Sequence, residues 1–575
     1  MTEDKESKNH ALKANEEYHS AVENAIEYAE KFDILETINN VGNDEVFTPR
    51  KVCNKMLDCL PEEVWHNPNY KWLNPCSKNG MFEREIAIRL DVGLKDIIPD
   101  EIERRKHILR NMIYSIGLTK FTSNVARRTL YYCSQANRQC DGIKAEDGHY
   151  VNGYAIGNGT WFDREEGNVL TPCTEHVFGS YGKCIYCGVS NKSRYVDSKQ
   201  REQYVYEFIH IDSDKLLEHL QDRFFKGDRN MKFDIIIGNP PYQLNDGGAQ
   251  ASARPIYQLF IEQAKSLEPK YICMITPSRW MTGGKGLDKF RLEMIKDTKI
   301  SNLYDYIDAS DVFPNVDIKG GVSYFLIDRD YEGECHIYSH TSNGVIESTR
   351  KLNSGDDIFI RDARLLQIKN KVAEKNDKWL NAIVSARKPY GLEAETMYNA
   401  HKYHLPAFSD TPIDGGYTVL GLNESQKRTF KYIPADYPLP KNKNDTNLNK
   451  YKVFIAEAYG SGIVGEVPSN PVLGRPGELC TETFLEIGPF PSELEAGNMI
   501  KYIKTRFFRL LVGILKQTQH TTQKVYRFVP QQIFGENSDI DWAQPVSEID
   551  KQLYSKYNLS EQDIDFIETE IKAME

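Results

Sequence analysis

Phe233-Asp234-Ile235-Ile236-Ile237-Gly238-Asn239-Pro240-Pro241-Tyr242 joins an apolar run to a rigid turn. The run reads as a buried parallel strand, and the turn falls at its C-terminal edge, where open α/β sheets build their sites. Each residue of the turn has a chemical use. The Asn239 side-chain oxygen can accept a hydrogen bond from an exocyclic amine, and a Pro-Pro carbonyl can accept a second. Two such acceptors draw the amine out of conjugation with its ring and expose its lone pair. Pro240 and Pro241 have fixed φ and no N–H, which holds their carbonyls in place. Tyr242 offers a face on which a planar ring can stack.

Outward from this turn, apolar runs alternate with helical stretches from about 46 to 330. The strand candidates are 70–75, 107–118, 204–211, 233–239, 271–277 and 321–328. Helices are expected over 81–90, 125–132 and 256–267, and the alternation predicts an α/β domain with a largely parallel sheet. Residues 133–203 interrupt it with Cys, Gly, Asn and Tyr and read as an insertion. Residues 1–45 read as a polar N-terminal helical segment. Short strands and many Pro and Gly turns over 331–545 predict a separate, mixed α+β domain. Residues 546–575 read as a helical tail, with Ser560 as N-cap.

The chain has 575 residues, 40% of them hydrophobic and 27% charged, which excludes a wholly disordered protein. The N-terminus is polar and lacks the apolar core of a signal peptide. The stretch from Phe507 to Leu515 is broken by Arg509 and is too short to span a bilayer. A cytoplasmic location without membrane contact is expected. The 11 Cys are spread unevenly, unlike a secreted disulfide framework.

Asp234 to Tyr242 resembles the catalytic motif of S-adenosylmethionine-dependent amino-methyltransferases. Its companions resemble the gamma class of adenine-N6 DNA methyltransferases of restriction–modification systems. That likeness implies a Rossmann-like catalytic domain over 46–330 and a DNA target-recognition domain over 331–545. It implies methyl transfer from S-adenosylmethionine to adenine N6 in duplex DNA, with the base flipped from the stack. Phe47-Thr48-Pro49 resembles the N-terminal cofactor motif. Asn74-Pro75, with Gly80 and Phe82, resembles the glycine loop, in which Asn74 stands for the usual Asp and Lys78 for the first Gly. Thr119 falls where the family places a ribose-binding carboxylate. Asp212, in His210-Ile211-Asp212, resembles the contact to the cofactor's adenine amine. Phe313, in Asp311-Val312-Phe313-Pro314, resembles the aromatic residue that stacks on the flipped base opposite Tyr242.

Cys173-x2-His176 and Cys184-x2-Cys187 suit a structural zinc knuckle, since tetrahedral zinc takes soft ligands on tight turns. Cys133 and Cys140 are alternatives to Cys173 and His176. Cys53, Cys59, Cys273, Cys335 and Cys480 read as core.

The balance of 72 Lys and Arg against 83 Asp and Glu, net −11, excludes a uniformly basic DNA coat. Residues 501–530 nevertheless hold seven basic residues, Lys516, Lys524 and Arg527 among them, and no Asp or Glu. Residues 427–452 are also rich in Lys. These runs, with Arg279 and Lys285 after the 271–277 strand, are the expected phosphate contacts, and they predict steep salt dependence. A cognate restriction endonuclease is an expected partner. The rival readings are a bifunctional enzyme that also cuts, a methyltransferase acting on protein or RNA, and a catalytically decayed DNA-binding protein.

Overall fold

The computed structural model describes residues 46–574 apart from 133–142, 145–149, 152–165, 192–204, 245–253, 284–285, 315, 317, 343, 442–445, 461, 463 and 517–518. The expected helical segment 1–45, together with Lys285, Cys133 and Cys140, lies outside the described residues. The chain forms two compact units, Met1–Phe359 and Ile360–Glu575.

The first unit is built on one nine-stranded sheet. In chain order its strands are β1 (Trp72–Ser77), β2 (Ile113–Gly117), β3 (Val169–Leu170), β4 (Ile235–Gly238), β5 (Tyr271–Pro277), β6 (Ile300–Tyr306), β7 (Val322–Asp328), β8 (Cys335–Thr341) and β9 (Gly344–Arg350). Across the sheet they run β9-β8-β6-β7-β5-β4-β1-β2-β3. The pairs β5·β4, β4·β1, β1·β2, β2·β3 and β6·β8 are parallel. The strand order reverses between β1 and β4, so the loops leaving these two strands open side by side, the usual place for a site in such a sheet.

Alternate side chains of the central strands enter two cores. Leu73, Ile236, Ile272 and Met274 face one, under α5 (Ser213–Phe225), α6 (Tyr257–Ser266) and α7 (Asp288–Lys296). Trp72, Ile235, Ile237, Cys273 and Ile275 face the other, under α1 (Arg50–Leu57), α2 (Met81–Gly93), α3 (Glu101–Asn111) and α4 (Lys120–Tyr132). This period of two, with both faces covered by helices, is what a parallel sheet requires.

Three expectations need correction. Residues 107–118 are not one strand: α3 runs to Asn111, and only Ile113–Gly117 joins the sheet. Of the expected strand 204–211, the described residues 205–211 form a single 3-10 turn over Glu207–Ile209 instead of a strand. The domain boundary at 330 is too early. β8 adds to β6 and β9 adds to β8, so the sheet continues to Arg350, and the Phe359 N–H still bonds the Met281 carbonyl at 2.7 Å.

The second unit is mixed α+β. It holds two three-stranded sheets. One joins β10 (Tyr417–Leu422), β11 (Arg428–Ile433) and β14 (Glu478–Cys480), and the other β12 (Tyr451–Ala456), β13 (Val472–Gly474) and β15 (Phe484–Phe490). Its helices include α8 (Ala363–Glu374), α9 (Glu493–Lys504), α10 (Arg506–Gly513), α11 (Val546–Lys556) and α12 (Glu561–Glu570). Ser560 caps α12 in a capping box with Asp563. The segment 546–575 is therefore not a detached tail. Asp550 accepts the Arg506 and Phe507 N–H groups at 3.0 Å each, and Arg509 reaches the Lys572 carbonyl at 2.6 Å. No helix among the described residues is long and apolar enough to cross a membrane.

Candidate functional site

β4 ends at Gly238 because the backbone there passes close to β1. A Cβ at Gly238 would stand 2.7 Å from Asn74 Oδ1 and 2.8 Å from Cys76 Sγ. Asn239 follows, 2% exposed. Its Nδ2 donates to the Val46 carbonyl at 3.0 Å and to Thr48 Oγ1 at 3.1 Å. A carbonyl can only accept, so the amide orientation is fixed by its partner. Asn239 Oδ1 is then left buried without a hydrogen-bond partner. The Phe47-Thr48-Pro49 segment thus aims an acceptor at the mouth of β4. Pro240, Pro241 and Tyr242 are buried behind it, and the Tyr242 carbonyl accepts the Ile256 N–H at the entrance to α6.

Asn239 shares a narrow cleft with Thr48, Asn74, Cys76, Lys78, Gly80 and Glu83. Asn74 links the parts of this wall: Nδ2 donates to Glu83 Oε1 at 2.9 Å, and Oδ1 accepts the Cys76 N–H at 3.1 Å. Pro75 lies within β1 between them. Gly80 precedes α2 with φ 78°, a left-handed conformation that suits Gly. Lys78 is 6% exposed and donates to the Val46 carbonyl at 2.8 Å. Glu83, in the first turn of α2, is a cleft residue the sequence reading missed. Burial raises its carboxyl above the usual range, while the neighbouring Ser77, Ser115 and Asn74 side chains pull it back. The signal available was an acidic residue three positions after the loop glycine. The cleft therefore offers a carboxyl, an ammonium and a helix N-terminus, a donor set that matches a ligand carrying both a cationic and an anionic group.

Tyr242 and Phe313 meet, as expected, but edge to face. Their centroids are 6.4 Å apart at 65°, and both rings are buried. Burial pushes the Tyr242 phenol well above its ordinary value, with the Asn239 side chain beside it pulling the other way.

The other expected cofactor residues lie outside the cleft lining. Thr119 and Thr122 cap the start of α4 reciprocally, at 2.9 and 3.1 Å, which takes up the Thr119 hydroxyl. Asp212 is exposed before α5, where Lys215 (3.1 Å) and Tyr186 (3.0 Å) donate to it and hold its carboxyl below the usual range.

The Cys-rich insertion brings together His176, Cys184, Cys187 and His210, whose ligand atoms all lie within 4.8 Å of one another. Cys173 of the expected set lies apart from this group, exposed and beside Glu207 and His219, which form a second cluster with it. Burial opposes ionisation of Cys184, yet the His210 ring, the Cys187 and Tyr186 N–H groups and the His176 ring around its sulfur bring its thiol down to about 5. Of the cysteines read as core, Cys53, Cys273, Cys335 and Cys480 are buried and Cys59 is half-buried.

Three basic residues of the second unit's runs are internal, a further correction, while Lys427, Arg428, Lys441, Lys450 and Lys524 are exposed. Lys516 is 2% exposed and ion-paired with Glu466. Lys452 is fully buried among the carbonyls of Asn447, Leu448, Lys450 and Arg475. Arg509 is bound to the carbonyls of Gly465 and Lys572. Of the expected DNA contacts there, Lys524 is exposed and Arg527 is half-buried on the Phe528 ring, 4.8 Å from its centroid. In the first unit Arg279 is half-buried in the turn after β5.

Residues 111–313 match the model of the Eco57I restriction-modification methylase family. Over 352 residues the chain is 46% identical to an adenine-specific methylase of Mycoplasma pneumoniae, itself uncharacterized; the match covers 58% of this chain and 81% of that protein. The chain belongs to the Eco57I restriction-modification methylase family. Among solved structures it is similar to the Type IIL restriction-modification enzyme MmeI in complex with DNA, with TM-score 0.46, 11% identity, and 91% of this chain and 74% of that one covered. The DrdV–DNA complex is a further likeness, with TM-score 0.42, 10% identity, and 92% and 57% covered.

Proposed function

We propose that this protein transfers a methyl group from S-adenosylmethionine to adenine N6 in duplex DNA, within a restriction–modification or phage-defence system. The observation that carries the reading is the unpaired, buried Asn239 Oδ1, oriented by Val46 and Thr48 at the C-terminal edge of β4. Family membership and the adenine-specific relative support the same activity.

In this reading the target adenine leaves the helix, at about a few kcal/mol, and enters beside β4. Asn239 Oδ1 and the Pro240 carbonyl accept the two N6 protons, which localises the nitrogen lone pair. Pro241 stiffens the turn. Tyr242 stacks on the base, and because Tyr242 and Phe313 now meet edge to face, the pair must turn to receive a ring between them. S-adenosylmethionine supplies the electrophilic methyl when bound. Thr48, Asn74, Lys78, Gly80 and Glu83 line its cleft, Phe47, Pro49 and Pro75 shape the segments that carry them, and Lys78 and Glu83 offer complementary charge to its carboxylate and its cationic groups. Catalysis is then mainly positioning. The second unit is the target-recognition domain, in the order of the gamma class, with Lys524 and Arg527 on DNA phosphates and Arg279 contributing from the first unit. A cognate endonuclease and a cytoplasmic location complete the reading, and structural Zn²⁺ folds the Cys-rich insertion.

The test is incubation with duplex DNA and methyl-labelled S-adenosylmethionine, followed by digestion to nucleosides. Label is expected in N6-methyldeoxyadenosine. Label recovered only in protein or RNA would overturn the reading.

A further inference from the structure

We propose that the zinc of the Cys-rich insertion is held by His176, Cys184, Cys187 and His210, so that it ties the insertion to the segment entering α5. This rests on the structural Zn²⁺ proposed above, and it names the ligands and what the ion joins.

The separations fit one tetrahedral ion. With Zn–S about 2.3 Å and Zn–N about 2.05 Å, the tetrahedron edges are about 3.6 Å for S···N and about 3.3 Å for N···N. Cys187 Sγ lies 3.6 Å from His176 Nδ1, and His210 Nε2 lies 3.2 Å from the same nitrogen. His210 is oriented as a ligand: its Nδ1 faces the Tyr206 carbonyl at 2.8 Å. A carbonyl only accepts, so Nδ1 carries the proton and Nε2 presents a lone pair to the cluster. Imidazole ligands are commonly fixed by such an outer partner. The thiols come from a tight turn, in which the Gly188 N–H bonds the Cys184 carbonyl at 2.9 Å and Gly188 has φ 77°. Cys184, Cys187 and His210 are buried, and His176 is half-buried. A hydrogen bond between the two histidines accounts for one contact, but not for two thiols converging on the same point.

Position gives the ion its part. The expected 133–203 insertion is interrupted by β3, which joins the sheet, and the part after β3 returns at 205 with its two ends already stitched. Glu207 accepts the Cys173 N–H at 2.8 Å, and Arg223 on α5 donates to the Thr171 carbonyl at 2.8 Å. His176, Cys184 and Cys187 lie on the outgoing part and His210 on the return. An ion shared among them closes a long loop, and closing such a loop is a large entropic saving for a segment with little core of its own. It also sets Tyr186, between the two cysteines, on Asp212 at the start of α5, the helix that leads into β4.

The test is metal analysis of the full-length protein purified without added metal. One zinc per chain is expected in the wild type and in Cys173→Ser, and little in His210→Ala or Cys187→Ser. Cobalt substitution of the wild type should give the intense d–d bands of a tetrahedral site, with thiolate charge transfer of two-cysteine strength. This arm decides the question if the ligand variants fail to fold. Zinc that survives His210→Ala but is lost in Cys173→Ser would overturn the ligand set alone. A metal-free wild type that takes up no cobalt would overturn the structural Zn²⁺ itself. Neither result depends on DNA methylation.

Discussion

Asn239 and Lys516 are both polar and both 2% exposed, yet they are buried in opposite ways. Asn239 has its amide nitrogen fully engaged and its oxygen left over. Lys516 meets Glu466 and lies over the Tyr459 ring, 4.4 Å from its centroid. An unpaired buried acceptor costs about 1–3 kcal/mol. At Asn239 that acceptor stands at the C-terminal edge of β4 and lines the cleft, whereas Lys516 has its partner in place.

The contrast can be broken at either end. Beyond Asn239 itself, the largest effect is expected from Gly238→Ala. Its Cβ would press on Asn74 Oδ1 and Cys76 Sγ and displace the wall that faces Asn239. Methyl transfer should fall about 100-fold, the scale of a 1 Å misplacement. A radiolabel assay that finds near-normal rates would show that the β1–β4 approach does not set the site. Lys516→Ala should act on stability instead. Breaking the buried pair takes the cation from Glu466 and should cost about 3 kcal/mol in urea unfolding, with the DNA affinity of the folded protein unchanged. Weaker DNA binding at full stability would return Lys516 to the interface.

Lys452 sharpens the same point through pH. Burial pulls its ammonium down to about 8 from the ordinary 10.5. Between these values the folded chain has shed a proton that the unfolded chain still holds, so stability should rise with pH across that window. The expected rise is on the order of 1–3 kcal/mol relative to Lys452→Met, read from denaturation at pH 8 and pH 10. Parallel profiles for the two proteins would contradict it. The smallest effect is expected at exposed Lys524, where Lys524→Ala should lower the salt slope of DNA binding by about 1. An unchanged slope would remove it from the phosphate contacts.

The sheet and its corner were legible because the signals are local. Ile235 to Ile237 are contiguous, and Asn239 to Tyr242 follow without a gap. β3, β6, β8 and β9 were missed, the last two because their alternation is polar: Cys335, Ile337 and Ser339 are buried between exposed or half-exposed neighbours, and β9 carries no buried residue. The 204–211 run has strand-like residues, but it is the return of the insertion, and β3 holds the sheet edge instead. The charge reading failed at Lys516 and Lys452 for a different reason. Lys516 is paired with Glu466, fifty positions away, and Lys452 is turned inward onto backbone carbonyls, one of them Arg475 on another segment. His210 escaped the zinc expectation likewise, since ligand spacing shows only the pairs that share a turn.

The central claim is that the unpaired oxygen of Asn239 acts in the reaction. The most direct test is single-turnover methyl transfer to duplex DNA by Asn239→Ala at saturating S-adenosylmethionine, with melting temperature and cofactor affinity measured on the same samples. The predicted result is a rate lower by on the order of 100-fold or more, with melting and cofactor affinity little changed. A wild-type rate in the folded variant would contradict the account.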